Sequence, residues 1–276
     1  MKFPSPLYYG IILLILCGVP TRALQAQSDS LFSYVRTYDS GISSFAVDNL
    51  GELYVINKGN QLKKYNARGD SVAVFNQVTQ FGTLSYVQAQ NPWKTILFYQ
   101  DFGTIVLLDK YLNIVTSINL PKVNIFQVDA VTTSYDNNIW LFDGQEERLK
   151  KIDDNGNTLF ETVDFRQLFD SVPAPKKVID RDGYVYLYDP DKGVYIFDYY
   201  GNFKTRLPFL HWTDIAVTGK KIYGFDKTHF FLYSPPVPDA AEYDLPRELE
   251  GNHSIKVNNG LMYVLKDGEL KIYRIH

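Results

Sequence analysis

One short apolar pattern occurs six times along this chain of 276 residues. Each copy is a four-residue apolar run, and the second residues of the copies are Tyr54, Leu97, Trp140, Tyr186, Tyr223 and Tyr263. The steps between them are 43, 43, 46, 37 and 40 residues. A period of about 40 to 45 residues is typical of the four-stranded blade of a β-propeller. The repeat therefore predicts an all-β, six-bladed propeller with four-stranded antiparallel blades.

Turn-forming residues flank the repeated runs. A strand and a turn precede each run, as in Phe45–Val47 before Asp48–Gly51, and a third strand follows, as in Leu62–Tyr65. Asp, Asn and Gly supply the hydrogen bonds and the positive φ angles that tight hairpins need. No helical period competes with this pattern; at most, Asp164–Asp170 and Asp239–Leu249 are expected to form short helical turns in loops.

The two ends of the chain predict how the ring closes. The sixth repeat stops at His276 after its third strand, and Leu31–Tyr38 is a strand without a blade of its own. Pairing these two strands completes the sixth blade and covers two open sheet edges. We therefore expect the N-terminal strand to be the outer strand of the last blade.

The first 26 residues have the character of a secretory signal peptide. Lys2 precedes an apolar run from Gly10 to Val19, and small residues stand at Ala23 and Ala26. The run is shorter than the roughly 20 residues of a membrane-spanning helix. We predict that residues 1–26 are a signal peptide, that residues 27–276 form the propeller, and that the protein is exported to the periplasm, the outer membrane or the cell exterior.

Cys17 raises the alternative of a lipid anchor, although Leu16 stands where lipoprotein signal peptidase requires a small residue. Cleavage after Ala26 would leave a mature chain without cysteine, so no thiol nucleophile or thiolate metal site is expected there. The whole chain has a net charge of −3. An acidic surface argues against nucleic acid or an anionic membrane as the main partner.

The combination of an inner strand, a turn, a G-x-hydrophobic-Tyr-Val strand and a D-x-x-G turn resembles the six-bladed propellers of the NHL and TolB-like type. Leu24–Gln27, with the sequence LQAQ, resembles the cleavage region of exported proteins of the Bacteroidetes. NHL-related families include binding scaffolds, lactonases and a zinc lyase, so the resemblance does not select a function. The resemblance implies a lyase site with several converging His, or a lactonase site with Glu, Asn and Asp around a divalent ion.

Neither enzyme pattern is complete in this sequence. The chain contains four His, and the predicted inner strands contain no Glu. No G-x-S-x-G, P-loop or H-E-x-x-H motif is present. These observations favour a non-catalytic module, but they leave the enzymatic alternative open.

Ligands of propellers usually meet the face that carries the loops leading into the blades. The longest such loops are predicted at Val163–Pro175 and Ser234–Asn252, before blades four and six. The residues expected near the channel mouth are Ser43, Ser44, Tyr86, Asp129, Lys176, Trp212, Asp214 and His253. Asp129, Asp214 and His253 could converge on a divalent cation or a water, whereas the simpler interpretation is that they are solvated rim residues.

A second set of polar residues follows the repeated runs three residues after the anchor: Asn57, Gln100, Asp143, Asp189, Asp226 and Lys266. Second strands of neighbouring blades stand about 10 Å apart, much too far for shared metal ligation. Capping of the following turns by Asx-type hydrogen bonds explains these residues better. Mixed charges in the loops of the same face, including Asp143, Asp189 and Lys192, favour a polar interface.

Three functional hypotheses follow. The first is a non-catalytic propeller of the cell envelope that binds another envelope protein or a glycan and has no cofactor. The second is a metal-dependent hydrolase or lyase with its site in the central channel. The third is a purely structural subunit of an envelope assembly.

Overall fold

A computed structural model describes residues 31–38, 41–251 and 254–276. This part of the chain forms six four-stranded antiparallel sheets, and the first strand, β1 (Phe32–Tyr38), belongs to the last of them. Blade one contains β2 (Ile42–Val47), β3 (Leu53–Asn57), β4 (Leu62–Tyr65) and β5 (Ser71–Phe75). Blade two contains β6 (Tyr86–Asn91), β7 (Lys94–Tyr99), β8 (Thr104–Leu108) and β9 (Ile114–Asn119). Blade three contains β10 (Val128–Thr133), β11 (Ile139–Asp143), β12 (Arg148–Ile152) and β13 (Thr158–Glu161).

The second half of the ring repeats this order. Blade four contains β14 (Lys177–Arg181), β15 (Tyr184–Asp189), β16 (Gly193–Asp198) and β17 (Phe203–Leu207). Blade five contains β18 (Asp214–Thr218), β19 (Lys221–Phe225), β20 (His229–Tyr233) and β21 (Ala241–Asp244). Blade six contains β22 (Ser254–Asn258), β23 (Leu261–Lys266), β24 (Glu269–Ile275) and β1. The predicted six-bladed architecture is confirmed.

Ring closure follows the sequence prediction. Strand β1 pairs antiparallel with β24, from Phe32 opposite Ile275 to Tyr38 opposite Leu270. The amide of His276 donates to the carbonyl of Leu31 at 3.0 Å, so the hydrogen bonding extends past both strand ends. The two ends of the propeller therefore share one blade.

The repeated apolar runs are the second strands, and they lie in the cores between blades. Tyr54, Leu97 and Trp140 are fully buried. Side chains from neighbouring blades form joint clusters, as where Trp140 of blade three packs with Val185 and Leu187 of blade four. Burial of each such side chain contributes about 1.5–3 kcal/mol, which explains why the apolar pattern is strongest in these strands.

Two expectations about loops are settled by the strand positions. A short 3₁₀ turn at Phe165–Gln167 confirms the helical turn expected within 164–170, and Asp164 caps it by accepting from the Arg166 amide. The segment 239–249 is different, because Ala241–Asp244 is the outer strand of blade five. All four of its residues are exposed, so it lacks the apolar pattern that marks the inner strands. The predicted loop Ser234–Asn252 was therefore wrong as a single loop leading into blade six.

The structure describes no part of the predicted signal peptide, so residues 1–26, including Cys17, stay a matter of prediction. Within the described ranges, none of the helical segments has the length and apolar character needed to span a membrane.

Candidate functional site

A central channel of about 360 Å³ is lined by the first strands of all six blades. These strands are β2, β6, β10, β14, β18 and β22. Small-molecule sites usually occupy cavities of roughly 300–1,000 Å³, so this channel has the size of a small-ligand site. Apolar residues such as Ile179, Ile215 and Val257 form part of its wall, beside several charged side chains.

One end of the channel is closed by hydrogen bonds between blades. Gln90 Nε2 donates across the ring to the backbone carbonyl of Asp180 at 2.9 Å. Arg181 Nη2 donates to Asn49 Oδ1 at 3.3 Å, and the Asn259 side chain donates to the Asn49 carbonyl at 3.1 Å. All of these residues lie at or just after the C-terminal ends of first strands. The opposite end, where the exposed Lys176 stands, is the channel mouth.

The lining of the channel is basic. It contains four cationic side chains, Lys176, Lys177, Arg181 and Lys256, and one carboxylate, Asp214. Lys177 Nζ donates to Asp214 Oδ1 and to the Ile215 carbonyl, both at 2.6 Å. Burial lowers the pKa of Lys256 to about 8; the charge of Lys177 adds to this effect and that of Asp214 opposes it.

The structure brings four of the predicted channel residues together. Ser44, Tyr86, Lys176 and Asp214 all line the cavity. The Tyr86 side chain forms part of the wall. Its hydroxyl donates to the carbonyl of Val131, on the neighbouring first strand, at 3.2 Å. Burial raises the pKa of Tyr86, so its hydroxyl stays a neutral donor. The role of Tyr86 in the wall is therefore a sealing contact between blades two and three.

The remaining predicted residues lie elsewhere or are not described. The prediction that Trp212 lies near the channel mouth was wrong. Its side chain is only 5% exposed and stacks between Phe209 and Phe231 in the core between blades four and five. A Cβ atom on Gly224 would collide with its ring, so the pocket for this indole is built into β19. Ser43 donates to the Ile56 carbonyl of its own blade at 2.9 Å.

The described residues give no support for a cluster of Asp129, Asp214 and His253. Asp129 accepts from Gln100 Nε2 at 3.2 Å, and Asp214 is paired with Lys177. His253 lies outside the described residues. Within the described ranges there is also no group of three or more His, Cys, Asp or Glu side chains that could hold a metal ion.

Four of the six polar residues after the second strands cap turns as predicted, whereas the Gln100 side chain donates to Asp129 and that of Lys266 to the Glu248 carbonyl. Asn57, Asp143, Asp189 and Asp226 each accept hydrogen bonds from two amides of the following turn. Asp143 also pairs with the buried Lys150 at 2.9 Å. Asp143 and Asp189 are 1% and 3% exposed, so the expectation that they contribute to a polar interface was wrong. Their carboxylates are hydrogen-bonded or ion-paired to groups inside the blades.

The other face of the ring carries a group of exposed aromatic residues. Because adjacent strands are antiparallel, the loops between strands one and two and between strands three and four of each blade share this face. These loops hold Trp93, Tyr111, Tyr135, Tyr199 and Tyr200, which we name the aromatic face. Four of them are strongly exposed, from 63% for Tyr111 and Tyr135 to 82% for Tyr200.

Contacts with lysines and between rings hold the aromatic face in place. Lys110 Nζ lies 4.6 Å from the ring centre of Trp93 and 4.8 Å from that of Tyr111. Tyr135 of blade three stacks on Tyr199 of blade four with the ring centres 4.2 Å apart. Cation–π and stacking contacts of this kind contribute about 0.5–1.5 kcal/mol each. The rings of Trp93, Tyr111, Tyr135 and Tyr199 are therefore positioned before any partner binds, and Tyr200 extends into solvent beside them.

A buried carboxylate supports the Tyr135–Tyr199 pair from below. Asp180 accepts from the Tyr199 hydroxyl at 2.8 Å, from Trp140 Nε1 at 2.9 Å and from Ser134 Oγ at 3.1 Å. The Tyr135 amide donates to the same carboxylate at 3.2 Å. Burial raises the pKa of Asp180, and these four donors oppose that shift. Asp180 thus connects the core between blades three and four to the surface.

Comparison with known proteins supports the fold. The sequence matches no protein-family model and no curated protein sequence. Among solved structures, virginiamycin B lyase from Staphylococcus aureus is 12% identical with a TM-score of 0.59, covering 89% of this chain and all of that one. BamB from Moraxella catarrhalis is 14% identical with a TM-score of 0.51, covering 84% of this chain and 82% of that one.

PorZ from Porphyromonas gingivalis is 12% identical with a TM-score of 0.56. The match covers 87% of this chain and 32% of PorZ, so the likeness concerns one part of a longer protein. Identities this low establish the propeller architecture alone. The NHL-type assignment and the Bacteroidetes origin stay predictions.

Proposed function

We propose that this chain is an exported, non-catalytic binding module of the cell envelope, and that its aromatic face binds another envelope protein. The aromatic face itself carries the proposal. Tyr and Trp dominate the binding energy of protein interfaces because they bury a large area at a low cost in conformational entropy. Here four of the rings are strongly exposed, and lysine or ring contacts position Trp93, Tyr111 and Tyr135.

Two further observations support an envelope role. The signal peptide predicted at residues 1–26 would export the chain. PorZ, one of the structurally similar proteins, is a bacterial surface component of the type IX secretion system. An exported propeller that presents a binding face at the cell envelope would suit a scaffold role. Exposed tyrosine and tryptophan rings also suit a glycan, which the experiment below distinguishes from a protein.

The proposal is tested by truncating rings at two separated points of the aromatic face. We expect the double variant Trp93→Ala/Tyr200→Ala to lose its envelope partner in affinity capture from an extract of the source cells. A central interface aromatic costs about 2 kcal/mol or more on truncation, roughly a thirtyfold loss of affinity for each. Both side chains are more than 60% exposed, so the melting temperature should change little.

A matched control is available on the opposite face. Phe102 and Phe126 are 60% and 58% exposed, and Phe102→Ala/Phe126→Ala should retain the partner. Equal capture by both double variants and the wild-type chain would contradict the proposal. Captured material that resists protease and is destroyed by periodate would identify a glycan in place of the protein partner.

The alternative hypothesis of a metal-dependent hydrolase or lyase places a divalent cation in the channel. The lining of four cationic side chains against one carboxylate, which is itself paired with Lys177, repels such an ion. We therefore expect a chelator to leave the melting temperature of the purified protein unchanged. A tightly held divalent metal, found by elemental analysis and required for stability, would favour the enzymatic hypothesis.

A further inference from the structure

The sign of the charge inside the channel is opposite to that of the whole protein. The chain has 28 basic and 31 acidic side chains, yet the described channel lining has four cations and one anion. A cavity with low-dielectric walls concentrates the potential of the charges that line it. The channel is therefore a region of positive potential within an acidic protein.

Lys256 is a cation of the channel wall for which the described residues provide no acceptor. It lies in the middle of β22, and its ammonium group stands 5.7 Å from the ring centre of Phe45. None of the hydrogen bonds or ion pairs among the described residues involves its Nζ, whereas the neighbouring Lys177 is neutralised by Asp214. An ammonium group has three donors and no acceptor, and the described part of the chain leaves all three to a ligand.

Arg181 adds a second unused donor at the closed end. Its Nη2 binds Asn49, but its Nε is buried and has no hydrogen-bond partner among the described residues. A buried donor without a partner normally costs about 1–3 kcal/mol. Two cationic side chains of one cavity therefore have hydrogen-bonding capacity that the protein itself does not satisfy.

We propose that the central channel binds a small oxyanion, a carboxylate or phosphate group, at Lys256, with Lys176 at the mouth and Arg181 at the closed end. The ionised oxygens of a carboxylate or phosphate group are hydrogen-bond acceptors, and this donor-rich lining lacks acceptors. The volume of about 360 Å³ admits a small metabolite and excludes a macromolecule. The site is entered from the opposite face, at Lys176, and does not depend on the function proposed for the aromatic face.

The test compares Lys256→Met with wild type, using inorganic phosphate and succinate as two separate probes. Thermal shift and titration calorimetry are measured at constant ionic strength, with sodium chloride as the balance. We expect one of the two probes to stabilise the wild type, and Lys256→Met to weaken that binding about tenfold or more. The probe that stabilises the wild type shows whether the site prefers phosphate or carboxylate.

A matched control separates this site from general charge effects. Lys221→Met removes the same charge from an exposed position of β19 and should bind the probe as the wild type does. Lys256→Met should melt at or above the wild-type temperature, because it removes a charge that burial disfavours. Loss of binding in this variant is therefore separable from unfolding.

The pH dependence gives a second readout. Lys177, Asp214 and the Phe45 ring face Lys256, and its pKa is about 8. Below this pH the ammonium is charged and binds the oxyanion probe; as the pH rises through about 8 it loses its proton and the affinity should fall. Failure of both probes to bind the wild type, or equal binding by Lys256→Met, would overturn the proposal.

Discussion

Deletion of Leu31–Tyr38 is expected to lower the free energy of unfolding by roughly 5 kcal/mol or more, a large part of the total for a domain of this kind. Phe32 is 7% exposed and packs edge-on against Phe230 with the ring centres 5.4 Å apart. Its burial alone contributes about 1.5–3 kcal/mol. The deletion also removes the whole pairing of β1 with β24 and leaves β24 as an open edge, which favours aggregation.

Urea unfolding and light scattering of the truncated chain check this expectation. A synthetic peptide of residues 31–38 should restore stability when added in excess, because it can occupy the vacant edge. Among point variants, Phe32→Ala should destabilise clearly, whereas Tyr34→Ala, on the same strand but 61% exposed, should have a small effect. A truncated chain that melts and stays soluble like the wild type would show that β1 does not close the ring.

The substitution Asp180→Ala is expected to cost about 3 kcal/mol or more. It leaves Trp140 Nε1, Ser134 Oγ and the Tyr135 amide without their acceptor in a site that is 4% exposed. Each buried donor without a partner costs about 1–3 kcal/mol. The loss should appear in thermal and urea unfolding. Near-ultraviolet circular dichroism should also change, because the Tyr135–Tyr199 stack loses its support.

Two variants control for this effect. Asp180→Asn should cost less than Asp180→Ala, because its amide oxygen can still accept from Trp140 and its amide nitrogen can donate to the Tyr199 hydroxyl. Asp182→Asn removes the same charge at a nearby exposed position and should be almost neutral. If Asp180→Ala were as stable as Asp182→Asn, the buried carboxylate would have no structural role.

The fold was predictable because its determinants are local and repeated. Most second strands are buried on both faces, so residues such as Tyr54 and Trp140 give a continuous apolar signal at a nearly constant period. The outer strand Ala241–Asp244 was missed because its four residues are exposed and its position is set by backbone pairing with β20. Outer strands of this kind have no apolar pattern from which they could be identified.

The candidate site was predictable only in part. Lys176 and Asp214 were found because they lie where the loops enter the first strands, near the channel mouth. Lys177, Arg181 and Lys256 were missed, although their alternation along β14 and β22 is the signal that marks channel-facing positions. Trp212 was misplaced because the sequence alone does not show that Gly224 opens a pocket for its ring.

The aromatic face illustrates a different limit. The pair Tyr199–Tyr200 is visible in the sequence, but the sequence does not show which of the two rings contacts a neighbouring blade. The structure shows that Tyr199 makes this contact and that Tyr200 faces solvent. The grouping of Trp93, Tyr111 and Tyr135 with this pair depends on loops from three blades, whose juxtaposition no single stretch of sequence reveals.

Site-specific photocrosslinking in intact source cells tests most directly whether this propeller works through its aromatic face. A photoreactive phenylalanine derivative replaces Tyr200 in one strain and Phe126, on the opposite face, in another. We expect a discrete crosslinked envelope protein from position 200 and none from position 126. Crosslinks from position 126 alone, or from neither position, would contradict it.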